Sequence, residues 1–306
     1  MSRYADLDDH VDSDESVAIL DNIGRRMLKR QVDALKSLPT FPESIMRINS
    51  VLLEDNSHRS MEQIARAIEV DPVVTARILR LVNSAFYGVS GAVASVYDAL
   101  VMLGLDVVRG IVLSSAAMDI ASRRRSVHGL WEHSFGAAVA ASALARTLGM
   151  PGVEEASAAA LMHDIGKLVL ASQLGRDYDA VIAHAVRNRV PVRDAELKLL
   201  GVSHDVIGQW LVKRWRLPDS LAQPIASHHT PGEAESYRDL TAVVHVADQM
   251  IRGYGFGFPG DNSMPALSEK AWKRLSLNDR KLRRAVIKMH TDLQEAIVHA
   301  NLYVAQ

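Results

Sequence analysis

Ala156-Ser157-Ala158-Ala159-Ala160-Leu161-Met162-His163-Asp164-Ile165-Gly166-Lys167-Leu168 is the stretch from which the rest of the chain is read. An alanine-rich run has strong helix propensity. This one delivers a histidine and an aspartate side by side, then a glycine and a lysine. An apolar segment ending in adjacent imidazole and carboxylate is a place to hold a metal ion. Neutral imidazole and carboxylate together suit Fe, Mn, Zn or Ni. His133, His204, His228, His229 and Asp248 can complete such a site.

Composition narrows the class. The chain has 306 residues, 48% hydrophobic and 23% charged, which is ordinary for a globular protein. A formal net charge of −1 argues against a whole-molecule field that attracts nucleic acid or anionic membrane. Cysteine is absent, so disulfides and thiolate ligands are excluded. No uncharged apolar window is long enough for a membrane span, and the acidic N-terminus lacks an apolar signal core, so a cytoplasmic protein is expected. Aromatics are only 5%, while Ala, Leu and Val abound, which favours helix-on-helix packing.

Along the chain, residues 1–15 carry six acidic side chains and are expected to fray. Apolar spacing predicts a helix over 16–36, ended by Leu38-Pro39-Thr40-Phe41-Pro42, and another over 44–54. Ser60 is a good N-cap for 61–70, and Asp71-Pro72 starts the next helix. Residues 83–91 break it. Helices follow at 97–103 and 106–121. Arg123-Arg124-Arg125 marks a boundary between two helical halves, in the first place as solvated surface. Residues 131–148 read as a long helix stopped by Gly149-Met150-Pro151-Gly152. The helix ending at His163-Asp164 comes next, then 178–188, 192–200, 204–215, 219–229 and 240–251. A glycine- and proline-rich loop spans 253–265, and helices at 268–275 and 278–304 complete the chain. The expected domain division is a tail and helix over 1–30, a domain over 31–232 with halves at 31–122 and 126–232, and a C-terminal helical segment over 233–306.

Three motifs compete for a functional reading. Gly255-Phe256-Gly257-Phe258-Pro259-Gly260 matches G-x-G-x-x-G, but a helix precedes it where a dinucleotide loop needs a strand. Residues 61–81 can form a helix-turn-helix with Thr75, Arg77 and Arg80 on the second helix; Glu62, Glu69 and Asp71 offset its charge, and such pairs are common in plain bundles. The histidines weigh most. His163-Asp164 and His228-His229 stand at helix ends, His204 opens a helix with Gly208 one turn later, and His133 and Asp248 lie on apolar helices. His245 shares a face with Asp248. Lys167 can hold a phosphate or steady a carboxylate. Buried helix-end histidines satisfied without a metal are the plainer alternative.

These residues also carry a resemblance. Leu38-Pro-Thr-Phe-Pro42, Ile64-Ala-Arg-Ala-Ile-Glu-Val-Asp-Pro72, Arg77-Ile-Leu-Arg-Leu-Val-Asn-Ser-Ala-Phe-Tyr-Gly88 and Ala99-Leu-Val-Met-Leu-Gly104 resemble an HDOD domain, the HD-related output domain of bacterial signalling proteins. His133, Leu161-Met-His-Asp-Ile-Gly-Lys167, Gly201-Val-Ser-His204, Trp215-Arg-Leu-Pro218 and His228-His229 continue the match. The resemblance implies an all-α HD-superfamily helical bundle with an N-terminal helical subdomain, acting as a regulatory module through a protein partner. Related HD-GYP phosphodiesterases hold two or three metals with an H…HD…H…HH…D set. His133, His163 with Asp164, His204, His228 with His229, and Asp248 match that set. By the same resemblance Asp164 bridges two metals and Lys167 contacts phosphate, which makes these two the catalytic candidates. After the paired histidines those enzymes carry an acidic residue and a Gly-Tyr-Pro element. Here Thr230-Pro-Gly-Glu-Ala-Glu-Ser236 stands instead, and Gly253-Tyr254 falls beyond Asp248, which argues against cyclic di-GMP hydrolysis.

The expectation is therefore a signalling output module with a retained divalent-metal site for up to two ions of Fe, Mn, Zn or Ni. The alternatives are a metal-dependent phosphohydrolase with a nucleotide or cyclic dinucleotide ligand, and a DNA-binding regulator through residues 61–81.

Overall fold

The computed structural model describes residues 60–82, 93–121 and 127–299. Expectations on 1–59, the break at 83–91 and the boundary at 123–125 lie outside the described residues. Every regular element described is helical. No described helix is long and apolar enough to cross a membrane.

Four helices form the N-terminal part: α1 (Met61–Glu69), α2 (Pro72–Val82), α3 (Val96–Leu103) and α4 (Leu105–Ala121). Ser60 caps α1 in a capping box with Gln63, whose Oε1 accepts the Ser60 N–H at 3.1 Å. Asp71 Oδ1 accepts the Val74 N–H ahead of Pro72, the start its sequence predicts. Val74, Ile78 and Val82 turn from α2 into the core. The side chains of Arg77 and Arg80, on which a helix-turn-helix would depend, lie outside the described part.

The second part is organised on α5 (Leu130–Leu148), which is buried around nearly its whole circumference from Leu130 to Ala145. A helix apolar on every side must be central. It packs against α6 (Val153–Met162), α12 (Arg238–Tyr254) and α14 (Asp279–His299). Its alanines, with Ala158–Ala160 facing them from α6, keep side chains short and let axes approach closely. The bundle is completed by α7 (Ile165–Leu174), α8 (Arg176–Asn188), α9 (Val192–Leu200), α10 (His204–Arg214), α11 (Asp219–Ser227) and α13 (Glu269–Arg274), with a 3₁₀ turn at Pro231–Glu233. Arg109 of α4 ties the two parts together, donating to the carbonyls of Trp215 and Arg216.

Two elements differ from the sequence expectation. Helix α7 is unannounced by periodicity, because Ile165, Leu168, Leu170, Ala171 and Leu174 are all buried and only Val169, Ser172 and Gln173 reach the surface, an outer face too short to set a period. Helix α12 begins two residues earlier and runs three further than the apolar run 240–251, because Arg252, although charged, stays inside as the partner of Asp248.

Helices α7 and α10 cross where Gly166 faces the backbone of α10. A Cβ on Gly166 would fall on the His204 carbonyl and lie 3.0 Å from Gly208 N. Gly166→Ala is expected to lower stability by about 1–3 kcal/mol through backbone overpacking. Gly253→Ala, whose Cβ would meet only Met264 Cε at 3.7 Å, should gain about 0.5–1 kcal/mol of helix propensity. Urea titration of both variants checks the contrast.

Candidate metal centre

Six helices converge on one buried cluster. His133 sits in the first turn of α5, and His163 and Asp164 form the two-residue joint between α6 and α7. Asp164 adopts φ −96°, ψ 13°, which turns the chain so that both side chains face inward. His204 is the first residue of α10, His228 and His229 follow the last turn of α11, and Asp248 lies on α12. Six of these seven side chains are at most 2% exposed, and His229 is half-buried.

The donors fall into two sets on either side of one carboxylate. In one set, His133 Nε2 is 3.1 Å and His163 Nε2 3.8 Å from Asp248 Oδ1. Asp164 Oδ2 joins it at 3.3 Å from His163 Nε2 and 3.7 Å from His133 Nε2. In the other, His204 Nε2 is 2.8 Å from His229 Nε2 and 3.2 Å from Asp164 Oδ1, with His228 Nε2 at 3.8 Å from the same oxygen. Within the triad His133, His163 and Asp248, and within the triad His204, His228 and His229, the donor atoms all lie within 4.8 Å of one another. Asp164 thus offers one oxygen to each side.

A family model for the HDOD domain matches residues 38–231. The chain belongs to the HDOD domain family. Among solved structures, it is similar to an HDOD domain protein with unknown function from Geobacter sulfurreducens (27% identity, 94% of this chain and 100% of that one, TM-score 0.67). It shares its fold with a protein from Shewanella amazonensis SB2B provisionally described as a phosphohydrolase (24% identity, 88% and 97% covered, TM-score 0.64). A curated relative, an uncharacterized protein from Treponema pallidum (strain Nichols), is 24% identical over 223 residues; the match covers 72% of this chain and 43% of the relative.

The chemistry of this HDOD site fits a cation. Nε2 of His133, His163 and His228 and Oδ1 of Asp164 are buried without a satisfying hydrogen bond, a costly state unless something else binds them. Three of these histidines are oriented through the other ring nitrogen: Nδ1 of His163 and His228 donates to the Ala160 and Ile225 carbonyls at 2.6 and 3.0 Å, and Nδ1 of His204 donates to Glu196 Oε2 at 2.6 Å. This leaves the Nε2 lone pairs for a metal. Burial pushes the His133 pKa down to about 4, and burial with the neighbouring His163 pushes His228 down to about 3, so both are neutral donors at neutral pH. Burial also opposes the charge on Asp164 and Asp248, but His163 and Lys167 around the first and Arg252 beside the second outweigh it and hold both carboxyls well below their ordinary range.

Four residues of the surroundings were not singled out by the sequence. Glu196 is fully buried on α9 and accepts from Tyr178 Oη at 2.6 Å, from the His204 N–H at 2.8 Å and from the His204 ring. Burial would lower the His204 pKa, but Glu196 outweighs it and lifts it to about 9. Arg252 Nε lies 3.0 Å from Asp248 Oδ1, and its Nη1 lies 3.2 Å from Asp261 Oδ1. The i,i+4 spacing of Asp248 and Arg252 is legible in the sequence; nothing in the sequence points from Glu196 to His204. His245, expected to share the face of Asp248, instead donates through Nδ1 to the His228 carbonyl and accepts from the Ser268 N–H. It fixes the backbone and is not grouped with the donors. Around the cluster, the carboxylates of Asp164, Asp248, Glu196 and Asp261 face two cations, Lys167 and Arg252, all in the interior. Without a bound cation a proton on His204 offsets part of this charge; with every histidine of the cluster taken as a donor to a cation, the four carboxylates exceed Lys167 and Arg252 by two charges, which suits a divalent ion.

Glu196→Gln keeps the shape but loses the charge-assisted hold on the His204 ring. It is expected to weaken metal binding by about 10–100-fold, measured by competition with a chromogenic chelator, with little change in the helical circular dichroism.

Proposed function

We propose that this HDOD chain is a signalling output module that acts through a protein partner and carries an HD-type metal centre built from His133, His163, Asp164, His204, His228, His229 and Asp248. The observation that carries the metal reading is the buried set of unsatisfied Nε2 and carboxylate atoms facing one another across Asp164. The family carries the signalling reading. The absence of a Gly-Tyr-Pro element after His228-His229 and the burial of the cluster favour a role without turnover. A bound divalent ion would balance the buried carboxylates and link six helices, so that its binding energy adds to folding. Fe, Mn, Zn and Ni all suit these donors.

A second reading is a metal-dependent phosphohydrolase acting on a nucleotide or cyclic dinucleotide, favoured by the position of Asp164 between two donor sets. A divalent cation there would acidify water and offset charge on phosphoryl oxygens. In this reading Asp164 holds both cations and Lys167 holds the phosphate.

Purified protein is expected to contain transition metal by elemental analysis and to lose it in His163→Ala. Chelation should lower Tm by on the order of 10 °C, as expected for a ligand held at about a thousand times its Kd. With Mn or Fe added, hydrolysis of bis(p-nitrophenyl) phosphate or a cyclic dinucleotide should not exceed that of His163→Ala. Turnover clearly above this control would replace the first reading with the second.

A further inference from the structure

The glycine-rich segment that fails as a dinucleotide loop lies against the metal cluster. Residues 258–261 are coil, yet all four are buried, while Gly253–Gly255 before them and Asn262 and Met264 after them are exposed or nearly so. Phe258 N–H donates to the Gly129 carbonyl at 2.8 Å, at the start of the helix that carries His133. Gly257, at φ +75°, presses on that same turn: a Cβ would run into the His133 backbone N and the Gly129 carbonyl. Asp261 anchors the far end, accepting from the Val192 N–H at 2.9 Å and from Ser263 N–H and Arg252. Between the two anchors, the Pro259 carbonyl accepts from Lys167 Nζ at 2.9 Å, while Asp164 Oδ2 takes the same ammonium at 2.6 Å.

An ammonium group that is 1% exposed and bound to two internal acceptors is closed to an external anion. We propose that residues 258–261 are an intramolecular plug: the Pro259 carbonyl takes the Lys167 hydrogen bond that a phosphate oxygen would accept, so the centre admits free phosphate or a phosphate monoester only when this segment withdraws. Among the described residues Lys167 is the cation on the cluster not already paired across Asp248 and Asp261, so whichever group holds it decides whether a phosphoryl group can dock. Withdrawal has room. A cavity of about 640 Å³ borders the segment and is lined by Ile251, Phe256, Phe258, Asn262 and Met264 among others. The hold is local: one hydrogen bond from the Phe258 N–H and its buried ring at the near end, and the Asp261 carboxylate with Val192, Ser263 and Arg252 at the far end, while positive-φ glycines at 255, 257 and 260 supply the bends.

This plug rests on the proposed centre for its purpose, but its test reads Lys167 without needing a metal. The unmodified chain, Asp261→Ala and Gly257→Ala are acetylated briefly with an N-hydroxysuccinimide ester, and Lys167 is quantified against the exposed Lys273 by peptide mass spectrometry. Lys167 of the unmodified chain should react at least about tenfold more slowly than Lys273, as a group released only by local opening does. In either folded variant its rate should rise about tenfold or more, and inorganic phosphate or AMP should protect it there but not in the unmodified chain. Protection by AMP alone marks a phosphate ester as the ligand; protection by neither overturns the proposal. So does Lys167 that stays unreactive in both folded variants, or that is as reactive as Lys273 from the start. Should neither variant fold, hydrogen exchange on the unmodified chain decides. The Phe258 and Val192 amides should exchange together and faster than those inside α5; exchange only with global unfolding would sink the plug as a movable element. A metal-free preparation with these Lys167 results would refute the metal centre and leave the plug standing.

Discussion

The carboxylate of Asp164 is the point on which the arrangement depends. It is fully interior, and an isolated charge in such a place costs several kcal/mol. Its position is tolerable only because imidazole nitrogens stand around both oxygens and Lys167 bonds one of them. Those imidazoles come from four helices other than the one Asp164 opens. The joint at 163–164 therefore fixes where α5, α6, α10 and α11 must meet, and Asp248 with Arg252 brings α12 to the same place.

Close approach of helix axes makes this convergence feasible. Histidine reaches only a few ångströms from its backbone, so six helices can share one centre only if some pack almost backbone to backbone. Alanines on α5 and α6 supply this on one side. Gly166 against the start of α10 supplies it on the other, where even a methyl group would strike the His204 carbonyl. Small residues that look featureless in the sequence set the distance between the donors.

The surroundings of the cluster bear on whether it is a structural or a reactive centre. Structural metal sites are closed by protein ligands, whereas catalytic ones keep a position for water or substrate. Here the candidate donors are buried except for half-buried His229, and Lys167 is held by Asp164 and by the Pro259 carbonyl.

The helical class, most helix limits and the seven donor candidates were legible in the sequence. Alanine runs, caps such as Ser60 and Asp71-Pro72, and glycine stops act over a few residues, and a histidine at a helix end announces itself. The family likeness supplied the order in which the donors belong together, which spacing alone could not give. Other features depended on tertiary contact. Helix α7 exposes only a short outer face at Val169, Ser172 and Gln173 and so shows no clear period; Glu196 takes its meaning from a ring eight residues away across a turn; and the segment from Gly255 to Asp261 reads as a loose loop until Lys167, 92 residues before Pro259, is found bonded to the Pro259 carbonyl. The chain's local chemistry determines which residues can bind a cation. Only packing decides which of them face one another and what covers them, because burial and the pairing of distant charges are properties of the assembled interior.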